Sequence, residues 1–552
     1  MVTSVIDVAD LSARLARLEQ DYAATKAAQE LASSERDRAR HERDEYKKLY
    51  DLLREENERL KRGLLGQKAE RLPTNDAQLS LAILGLMKQQ DGESCTPSDD
   101  DGAAVEQVPE QEVAGHTRRR PKRKPLPEDL PRIVIEMTPL EVEREGKDAF
   151  EVIGEETREV LERRPSSHIA VVIVRKKYVR RDRDRQAKEV RVLIAEPPEL
   201  PIERGLAGPG KLADTIVKRF AEHQPLHRQE VSNQREGIEL GRSTMCEWHM
   251  TLATLCRPLI DEMLTYAFRS PYLCTDATGV LVQAPKQCKN GHFWVLVAPG
   301  KHVLYRYSER HDSAAVDELL AGYEGYLVAD AHVVYDHLYA TGDVIEVGCW
   351  AHCRRYFHKS LESDPERAKA ALAFITALFK IERSVASAPR KKKEQTRKRH
   401  SKSIVEKFFA WCDRERDDVL DESPISKAIN YARNQRDALQ RFLDDGRLPL
   451  HNNISELALR RQVVGRKNWL FLGSEDGAEA NTTFVSLLAS CALHNIEPWA
   501  YLRDLFILLP SWPRARVLEL APAYWKATLE KDEAQQKLAA NVFRTALLHP
   551  GW

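Results

Sequence analysis

Residues 270–283, SPYLCTDATGVLVQ, decide the fold because they predict a β-strand with an acidic residue, Asp276, inside it. The runs HFWVLV (292–297) and HVLYRY (302–307) predict two more strands. Asn290-Gly291 is a strong turn signal before the second strand, and APGK (298–301) predicts the next turn. We therefore predict an antiparallel meander that begins with the strand of Asp276.

Helix and strand patterns alternate after the meander. They predict strands at 326–330 and 344–349, and helices at 313–323, 332–340 and 352–361. The first of these strands ends at Asp330. A meander followed by a β-α-β unit is typical of a mixed α/β layer.

A helical insertion is predicted to separate Asp330 from the next acidic residue of interest, Glu456. It covers residues 363–449, and its first helix has Asp364 as N-cap and Pro365 at the first helical position. Its last helix is AINYARNQRDALQRFL (428–443). Glu456 follows on a later helix, in HNNISELALRRQVVGRKNWLF (451–471).

Each of the three acidic residues has an ordinary structural explanation. Asp276 could cap a turn, Asp330 could cap the next helix, and Glu456 could pair with Arg460. Together, two acids on strands and one on a helix predict a site that holds two Mg²⁺ ions for phosphoryl transfer. The flanking basic residues suit a phosphate backbone; they are Arg460, Arg461, Arg466 and Lys467.

The N-terminal half predicts three different kinds of structure. Residues 8–64 keep one heptad register with Asn57 at an a position, which favours a coiled coil, or else a long solvated helix folding back on its own chain. An acidic, polar linker follows, and the runs IVIEM, HIAVVIV and VRVLI between 133 and 198 predict a small β-rich module.

Residues 211–265 predict helices with a glycine-containing turn before Ser243, a candidate N-cap. A helix, a turn and a second helix that begins with Arg242, Ser243 and Thr244 are compatible with a helix-turn-helix DNA reader. An ordinary pair of packed helices fits the same spacing equally well.

Charge and cysteine content limit the class of protein. The 552 residues contain 85 Lys+Arg and 85 Asp+Glu, so a contact with nucleic acid must come from local runs such as RRRPKRK (118–124), RKKYVRRDRDR (175–185) and RKKKEQTRKRHSK (390–402). The nine cysteines are dispersed, which predicts reduced thiols. We expect a soluble intracellular protein without a membrane span.

Several strings carry a family resemblance: GLAGPGKLADTIVKRFAEHQPLHRQE (205–230), GRSTMCEW (241–248), CWAHCRRYF (349–357), RFLDDGRL (441–448), NNISELALR (452–460) and GRKNWLFLGS (465–474). The stretch from about 206 to 508 resembles the transposases of the insertion sequence 66 family, which share a ribonuclease-H-like core. LKRGLLGQKAERL (60–72) and RKPLPEDLPR (123–132) resemble its N-terminal segments.

The resemblance implies that Asp276, Asp330 and Glu456 are the catalytic acids and hold two Mg²⁺ ions, for which Mn²⁺ can substitute. It implies cleavage at the ends of a bacterial mobile element and strand transfer into target DNA. We expect His352 to orient a phosphate or an acid, or else to be a structural histidine. The candidate DNA-binding residues are Arg242, Ser243, Thr244, Arg354, Arg355, Arg460, Arg461, Arg466 and Lys467.

The chain departs from the family pattern in three places. The family usually has a four-cysteine zinc ribbon where this chain has none between Cys95 and Cys246. Ala277 replaces the usual Glu after the first acid, and His451 replaces the usual Asp before Asn452. Cys349, His352 and Cys353 invite a zinc reading, but no fourth ligand follows at a usual spacing, so no zinc is expected.

Three functions remain open at this point: an active transposase, a decayed or repurposed copy that only binds the element's ends, and a hydrolytic nuclease. The expected partners are terminal inverted repeats, target DNA, a second copy through the coiled coil, and small accessory proteins, in the bacterial cytoplasm at the nucleoid. The expected boundaries are a coiled coil 1–88, a linker 89–131, the β-rich module 132–200, the helix-turn-helix region 205–268, the core 269–361, the insertion 362–450, the rest of the core 451–480, and a helical end 481–552.

Overall fold

A computed structural model describes Lys26 and residues 126–128, 130–164, 167–181, 191–285 and 287–547. The predicted coiled coil, apart from Lys26, and the predicted linker lie outside these residues. The described chain contains helices and two mixed sheets and divides into two compact units, so the predicted mixed α/β, multidomain class is confirmed. No helix of the described residues is long and apolar enough to cross a membrane.

The first sheet lies in the predicted β-rich region. Its strands are β1 (Arg132–Met137), β2 (Phe150–Arg164), β3 (Ser167–Arg180) and β4 (Leu193–Ile194), and a short helix, α1 (Leu140–Glu145), lies between β1 and β2 in the chain. β3 is central: it pairs in parallel with β1 and antiparallel with β2 and β4. The sequence patterns missed β2.

Apolar residues from distant parts of the chain form the core of this module. Val160, Ile169, Val171 and Ile173 of β2 and β3 pack with Phe543 and Ala546 of the last helix, α18 (Val542–Leu547). The module is therefore closed by the C-terminal end of the described chain.

Three helices follow the module: α2 (Pro209–Phe220), α3 (Leu226–Arg235) and α4 (Arg242–Ala267). The fully buried Glu162 of β2 accepts hydrogen bonds from the backbone N–H of Arg163 (2.7 Å) and of Lys211 (2.6 Å) in the first turn of α2. A Cβ at Gly208 or Gly210 would collide with this carboxylate. Because neither glycine has a Cβ, the side chain of Glu162 fits at the N-terminus of α2, where the helix dipole is positive.

The second sheet contains five strands: β5 (Tyr272–Val282), β6 (Lys289–Ala298), β7 (His302–Ser308), β8 (Gly325–Val328) and β9 (Val344–Val347). Their order is β7-β6-β5-β8-β9; the first three are antiparallel, and β8 and β9 run parallel to β5. The predicted meander and β-α-β unit are confirmed. Helices α5 (Ser313–Leu319) and α6 (Asp336–Thr341) lie between its later strands in the chain.

The helices after β9 are numbered in chain order. They are α7 (Trp350–Lys359), α8 (Pro365–Ser384), α9 (Arg390–Thr396), α10 (Lys402–Glu415), α11 (Pro424–Asn434), α12 (Arg436–Gln440), α13 (Asn453–Trp469), α14 (Glu475–Leu493), α15 (Pro498–Leu508), α16 (Trp525–Leu529) and α17 (Asp532–Ala540). α13 packs on β5 and β6, and α14 packs on β7.

Serines of α14 protect the free edge of the second sheet. The N–H groups of Val303 and Tyr305 on β7 donate to Ser490 Oγ (3.0 Å) and Ser486 Oγ (2.8 Å). An edge strand otherwise exposes such donors to another chain.

The smaller unit contains residues 354–374 and 408–434 of the described chain. Its aromatic core includes Phe357, Phe374, Phe408 and Trp411. Asp364 accepts a hydrogen bond from the Arg367 N–H (3.1 Å), which confirms it as the N-cap of α8.

Three local predictions were wrong. Asn290 and Gly291 lie inside β6, paired with Leu281 and Val280, and not in a turn. Gly241, not Ser243, is the N-cap of α4, because the helix already starts at Arg242. The helix predicted at 428–443 is broken into α11, α12 and a 3₁₀ turn.

Candidate active site

Asp276 lies on β5, and Asp330 follows the neighbouring parallel strand β8 by two residues. The register pairs Cys274 of β5 with Val328, the last residue of β8, and two residues further along each chain come Asp276 and Asp330. β8 ends at Val328 and not at Asp330 as the sequence predicted, whereas β5 continues past Asp276. The sheet therefore sets the two acids beside each other where one of the two strands stops.

The charges of both aspartates act on the buried side chain of Tyr335. Burial raises the pKa of its hydroxyl, and the negative charges of Asp330 and Asp276 also raise it. Both aspartates are therefore within electrostatic reach of the same side chain. Asp276 Oδ1 also accepts a hydrogen bond from the Ala277 N–H (2.8 Å), and Asp330 does not cap the following turn, where His332 is the N-cap.

Asn452 connects the third acid to the first. Its buried side-chain amide donates to the carbonyl of Thr275, the residue before Asp276 (2.8 Å), and its N–H donates to Cys349 Sγ (3.2 Å). α13 starts at the next residue and carries Glu456 in its first turn. The start of this helix is thus fixed to the strand that carries Asp276.

His352 lies against Glu456. Its Nε2 is 3.3 Å from Glu456 Oε1, and both side chains are partly buried. The arrangement fits a histidine that orients an acid. Cys349 and Cys353 are buried, and burial raises the pKa of Cys349, which favours the protonated thiol.

Three aromatic residues beside Asp330 were not predicted as part of the site. The ring of His311 stacks on buried Trp294 (5.0 Å between centroids) and meets His332 edge to face (4.9 Å). Burial and His332 lower the pKa of His311, and the carboxylate of Asp330 opposes that shift. His332 could have been predicted from the sequence, because it follows Asp330 by two residues. His311 could not, because only the folded chain brings it close to His332.

The basic residues of α13 have different environments. Arg466 donates to Thr278 Oγ1 (2.8 Å) and to the carbonyl of Gly279, so it fastens the helix to β5. Arg460 and Lys467 are exposed, and Arg461 is half-buried near His223, whose pKa is lowered by burial and by that charge. Trp469, a candidate for base stacking, packs against the cluster of Val280, Val282 and Phe293.

The other candidate DNA-binding residues are exposed on helices. Arg242, Ser243 and Thr244 occupy the solvent-facing first turn of α4, against which α3 packs. Arg354 and Arg355 are exposed on α7. The geometry makes all five accessible to a ligand.

The donor set suits a hard divalent cation. Asp276, Asp330 and Glu456 offer carboxylate oxygens, the ligands that Mg²⁺ prefers. In the described residues, no group of three or more His, Cys, Asp or Glu side chains is arranged tightly enough to hold a metal ion. The chemistry of the three acids fits the metal, and Glu456 faces His352 in this arrangement.

Comparison with known proteins identifies the family. The model described as Transposase IS66 family matches residues 204–480, and the model described as Transposase C of IS166 homeodomain matches residues 52–135. Uncharacterized protein y4hP of Sinorhizobium fredii (strain NBRC 101917 / NGR234) is 29% identical over 85% of this chain and 88% of its own length. Uncharacterized protein y4qI of the same strain is 30% identical over 68% of this chain and 72% of its own length. The first family match covers half of the sequence, including the sheet of Asp276 and the helix of Glu456, and the chain belongs to the IS66 family of transposases.

Proposed function

We propose that the protein cuts DNA at the ends of its element and joins the freed 3′-hydroxyl to target DNA, using Asp276, Asp330 and Glu456. The observation that carries the proposal is the link from Asn452 to Thr275, which fixes the start of the Glu456 helix to the strand of Asp276, beside Asp330. The strand order β7-β6-β5-β8-β9, three antiparallel and then two parallel, supports a ribonuclease-H-like core.

The three carboxylates would hold two Mg²⁺ ions, or Mn²⁺ in their place. Bound metal supplies charge stabilisation for the attacking and leaving oxygens of an in-line displacement. His352 positions Glu456 through its Nε2. Burial and the charges of Asp330 and Asp276 raise the pKa of Tyr335, so its hydroxyl stays protonated near the two aspartates. The exposed Arg460 and Lys467 are available to the phosphate backbone.

The rest of the chain would bring the DNA to these acids. Arg242, Ser243 and Thr244 read the terminal repeats, and Arg354 and Arg355 contact phosphates. A coiled coil in the first 88 residues pairs two copies so that two ends are held together, and accessory proteins of the element assist at the nucleoid. Ala277 and His451 place two neutral residues where the family usually has acids, which is why a decayed end-binding copy is the competing reading.

The test incubates purified protein and Mg²⁺ with a labelled duplex carrying the element's end and with a plasmid target. We expect a joined product from the wild type and a loss of at least about a hundredfold in Asp276→Asn, the size expected when a charge-stabilising group is removed. Asp343→Asn, at an exposed acid before β9, is the matched control and should keep wild-type activity.

The products separate the alternatives. Cleavage without joining would support a nuclease, and a gel shift without cleavage would support an end-binding protein. Full joining by Asp276→Asn would overturn the assignment of the acids.

A further inference from the structure

A one-sided basic surface runs along the helix that begins at α9. Between residues 391 and 407, six basic side chains are exposed to solvent, and Glu406 is the exposed acid among them. We call the six the basic face: Lys391, Lys392, Lys398, Arg399, Lys402 and Lys407. In this fully described stretch, Lys402 has an ion pair with Glu406 (3.9 Å), and the structure assigns no acidic partner to the other five.

Arg397, in the middle of the same run, points the other way. It is buried, its Nε and Nη2 donate to Glu382 (2.8 Å each), and its guanidinium also donates to three backbone carbonyls. These belong to Phe442 (2.6 Å), Asp445 (2.9 Å) and Leu448 (2.9 Å). One arginine of the run thus fixes the helix to the protein, and its neighbours are left facing water.

The segment that Arg397 holds leads directly into the proposed active site. Residues 442–448 come just before Asn452, and a Cβ at Gly446 would collide with the carbonyl of Arg390, so helix and segment are in close contact. The ring of His451 stacks on Phe379 of α8 (5.7 Å between centroids). The basic face is therefore carried by the same packed region that positions the start of the Glu456 helix.

The length and charge of the surface fit a DNA duplex. The stretch crosses α9, a π-helical turn (Arg397–Ser401) and α10. Its sixteen steps of at most about 1.5 Å span up to roughly 24 Å, close to the rise of seven base pairs at about 3.4 Å each. A solvated face of an ordinary helix mixes charges of both signs, and it does not need a buried arginine to fix its orientation.

We infer that the basic face binds the phosphate backbone of duplex DNA next to the active site. The inference rests on the proposed function, because it assigns to this surface the DNA on which the three acids act. Its contacts are independent of sequence, since lysine and arginine at this spacing neutralise phosphates and do not read bases.

The test measures duplex binding by fluorescence anisotropy over a range of salt concentrations, using full-length protein without added metal. The double variant Lys398→Gln/Arg399→Gln should bind about 10- to 100-fold more weakly at 0.15 M salt, and the slope of log K against log salt should fall by about 1.8, or 0.9 per lost contact. Arg514→Gln/Lys526→Gln, at exposed basic residues near the C-terminus, is the matched control and should keep the wild-type slope.

An unchanged slope in the first double variant, or an equal fall in the control, would overturn the inference. Asp276→Asn separates this inference from the proposed function. It should abolish joining, because an acid is lost, and leave the salt slope unchanged, because the basic face is intact. If the wild type failed to join DNA but the first variant still lowered the slope, the basic face would stand and the proposed catalysis would not.

Discussion

At the scale of single residues, the geometry of the site depends on a side chain that is not an acid. Asn452 is completely buried and reaches back 177 residues to the carbonyl of Thr275. From the sequence alone it is the residue after His451 and the first residue of the family string NNISELALR. Its role could not be predicted because its partner is distant in the chain and only the fold brings the two together.

Replacing Asn452 by alanine tests this link. We expect the free energy of unfolding to fall by about 1–3 kcal/mol, because a buried carbonyl loses its donor. We expect DNA joining to fall by more than the loss of folded protein explains, because Glu456 is no longer held against the strand of Asp276. Chemical denaturation and the joining assay measure the two effects.

Asn453→Ala is the control, since that neighbouring residue is exposed. A stable Asn452→Ala protein with normal joining would contradict the positioning role.

His451, beside it, shows how a departure from the family pattern is accommodated. Its Nδ1 accepts a hydrogen bond from the Asn453 N–H (3.3 Å), and an aspartate at this position could accept the same bond.

At the scale of elements, the second sheet was predicted well and its first hairpin was not. Asn290-Gly291 has the composition of a two-residue turn, but the strand pairing continues through it to Lys289. Gly291 is needed for another reason: a Cβ there would lie 2.6 Å from the ring of Tyr307 on β7. Gly291 is present because β6 packs closely against Tyr307 of β7. A local sequence pattern cannot distinguish a glycine required by close packing from a glycine required by a turn.

Gly291→Ala should therefore destabilise the sheet even though alanine is compatible with a strand. We expect a loss of about 1–3 kcal/mol from overpacking, measured by thermal or chemical unfolding. Adding Tyr307→Leu should recover part of that loss because it removes the colliding ring. If Gly291→Ala alone were neutral, Tyr307 would have room to move, and the explanation for the glycine would be wrong.

β2 was missed for a related reason. Its sequence, FEVIGEETREVLERR, is rich in acids and looks solvent-exposed, yet Glu162 within it is fully buried. Its burial depends on the N–H of Lys211 at the start of α2, a different element, together with the N–H of Arg163.

At the scale of the whole molecule, a buried charged cluster fastens the first sheet to the helices that follow it. Lys211 Nζ lies 2.8 Å from His168 Nε2 and donates to Asn233 Oδ1 (3.1 Å) and Asp214 Oδ2 (3.4 Å). Burial raises the pKa of Glu162 to about 7 and lowers that of His168 to about 4. Burial also lowers the pKa of Lys211 to about 8.

The shifts of Glu162 and His168 should give opposite pH dependences of stability. The folded protein holds the proton of Glu162 more tightly than the unfolded chain, so this group makes stability fall as pH rises from about 4.5 to 7. It holds the proton of His168 less tightly, so that contribution is complete above about pH 6.5 and is lost as pH falls towards 4. In the wild type the two slopes largely cancel between pH 4.5 and 6.5.

A matched pair of variants would expose each slope. Across that interval, the stability of His168→Gln should fall with rising pH and that of Glu162→Gln should rise, each by roughly 1–3 kcal/mol. Urea unfolding at several pH values measures both. Slopes of the same sign in the two variants would be inconsistent with the opposed shifts.

The C-terminal helix is the second long-range support of the β-rich module. Phe543 of α18 is fully buried against β2 and β3. We expect Phe543→Ala to lower the free energy of unfolding by about 3–5 kcal/mol. Protease sensitivity should increase first within residues 132–180, and limited proteolysis with mass spectrometry locates the new cuts.

Gln536→Ala on the exposed surface of α17 is the control for that experiment. Cleavage that began elsewhere, with the module intact, would show that α18 is not needed to close it. The sequence predicted strands in this region but not their partner, because Phe543 follows β3 by more than 360 residues and no local pattern connects them.

The combination of Phe543 and Glu162 has a consequence for the cell in which the protein is made. A ribbon built on four cysteines folds only after zinc has been loaded, so the host's metal supply controls how much active protein appears. This chain has no cysteine between Cys95 and Cys246. Its β-rich module is stabilised by packing against α18 and by Glu162, which accepts a hydrogen bond at the start of α2. We therefore expect folding of the module to require synthesis of the chain as far as Phe543, more than 360 residues after β3, and not to require zinc.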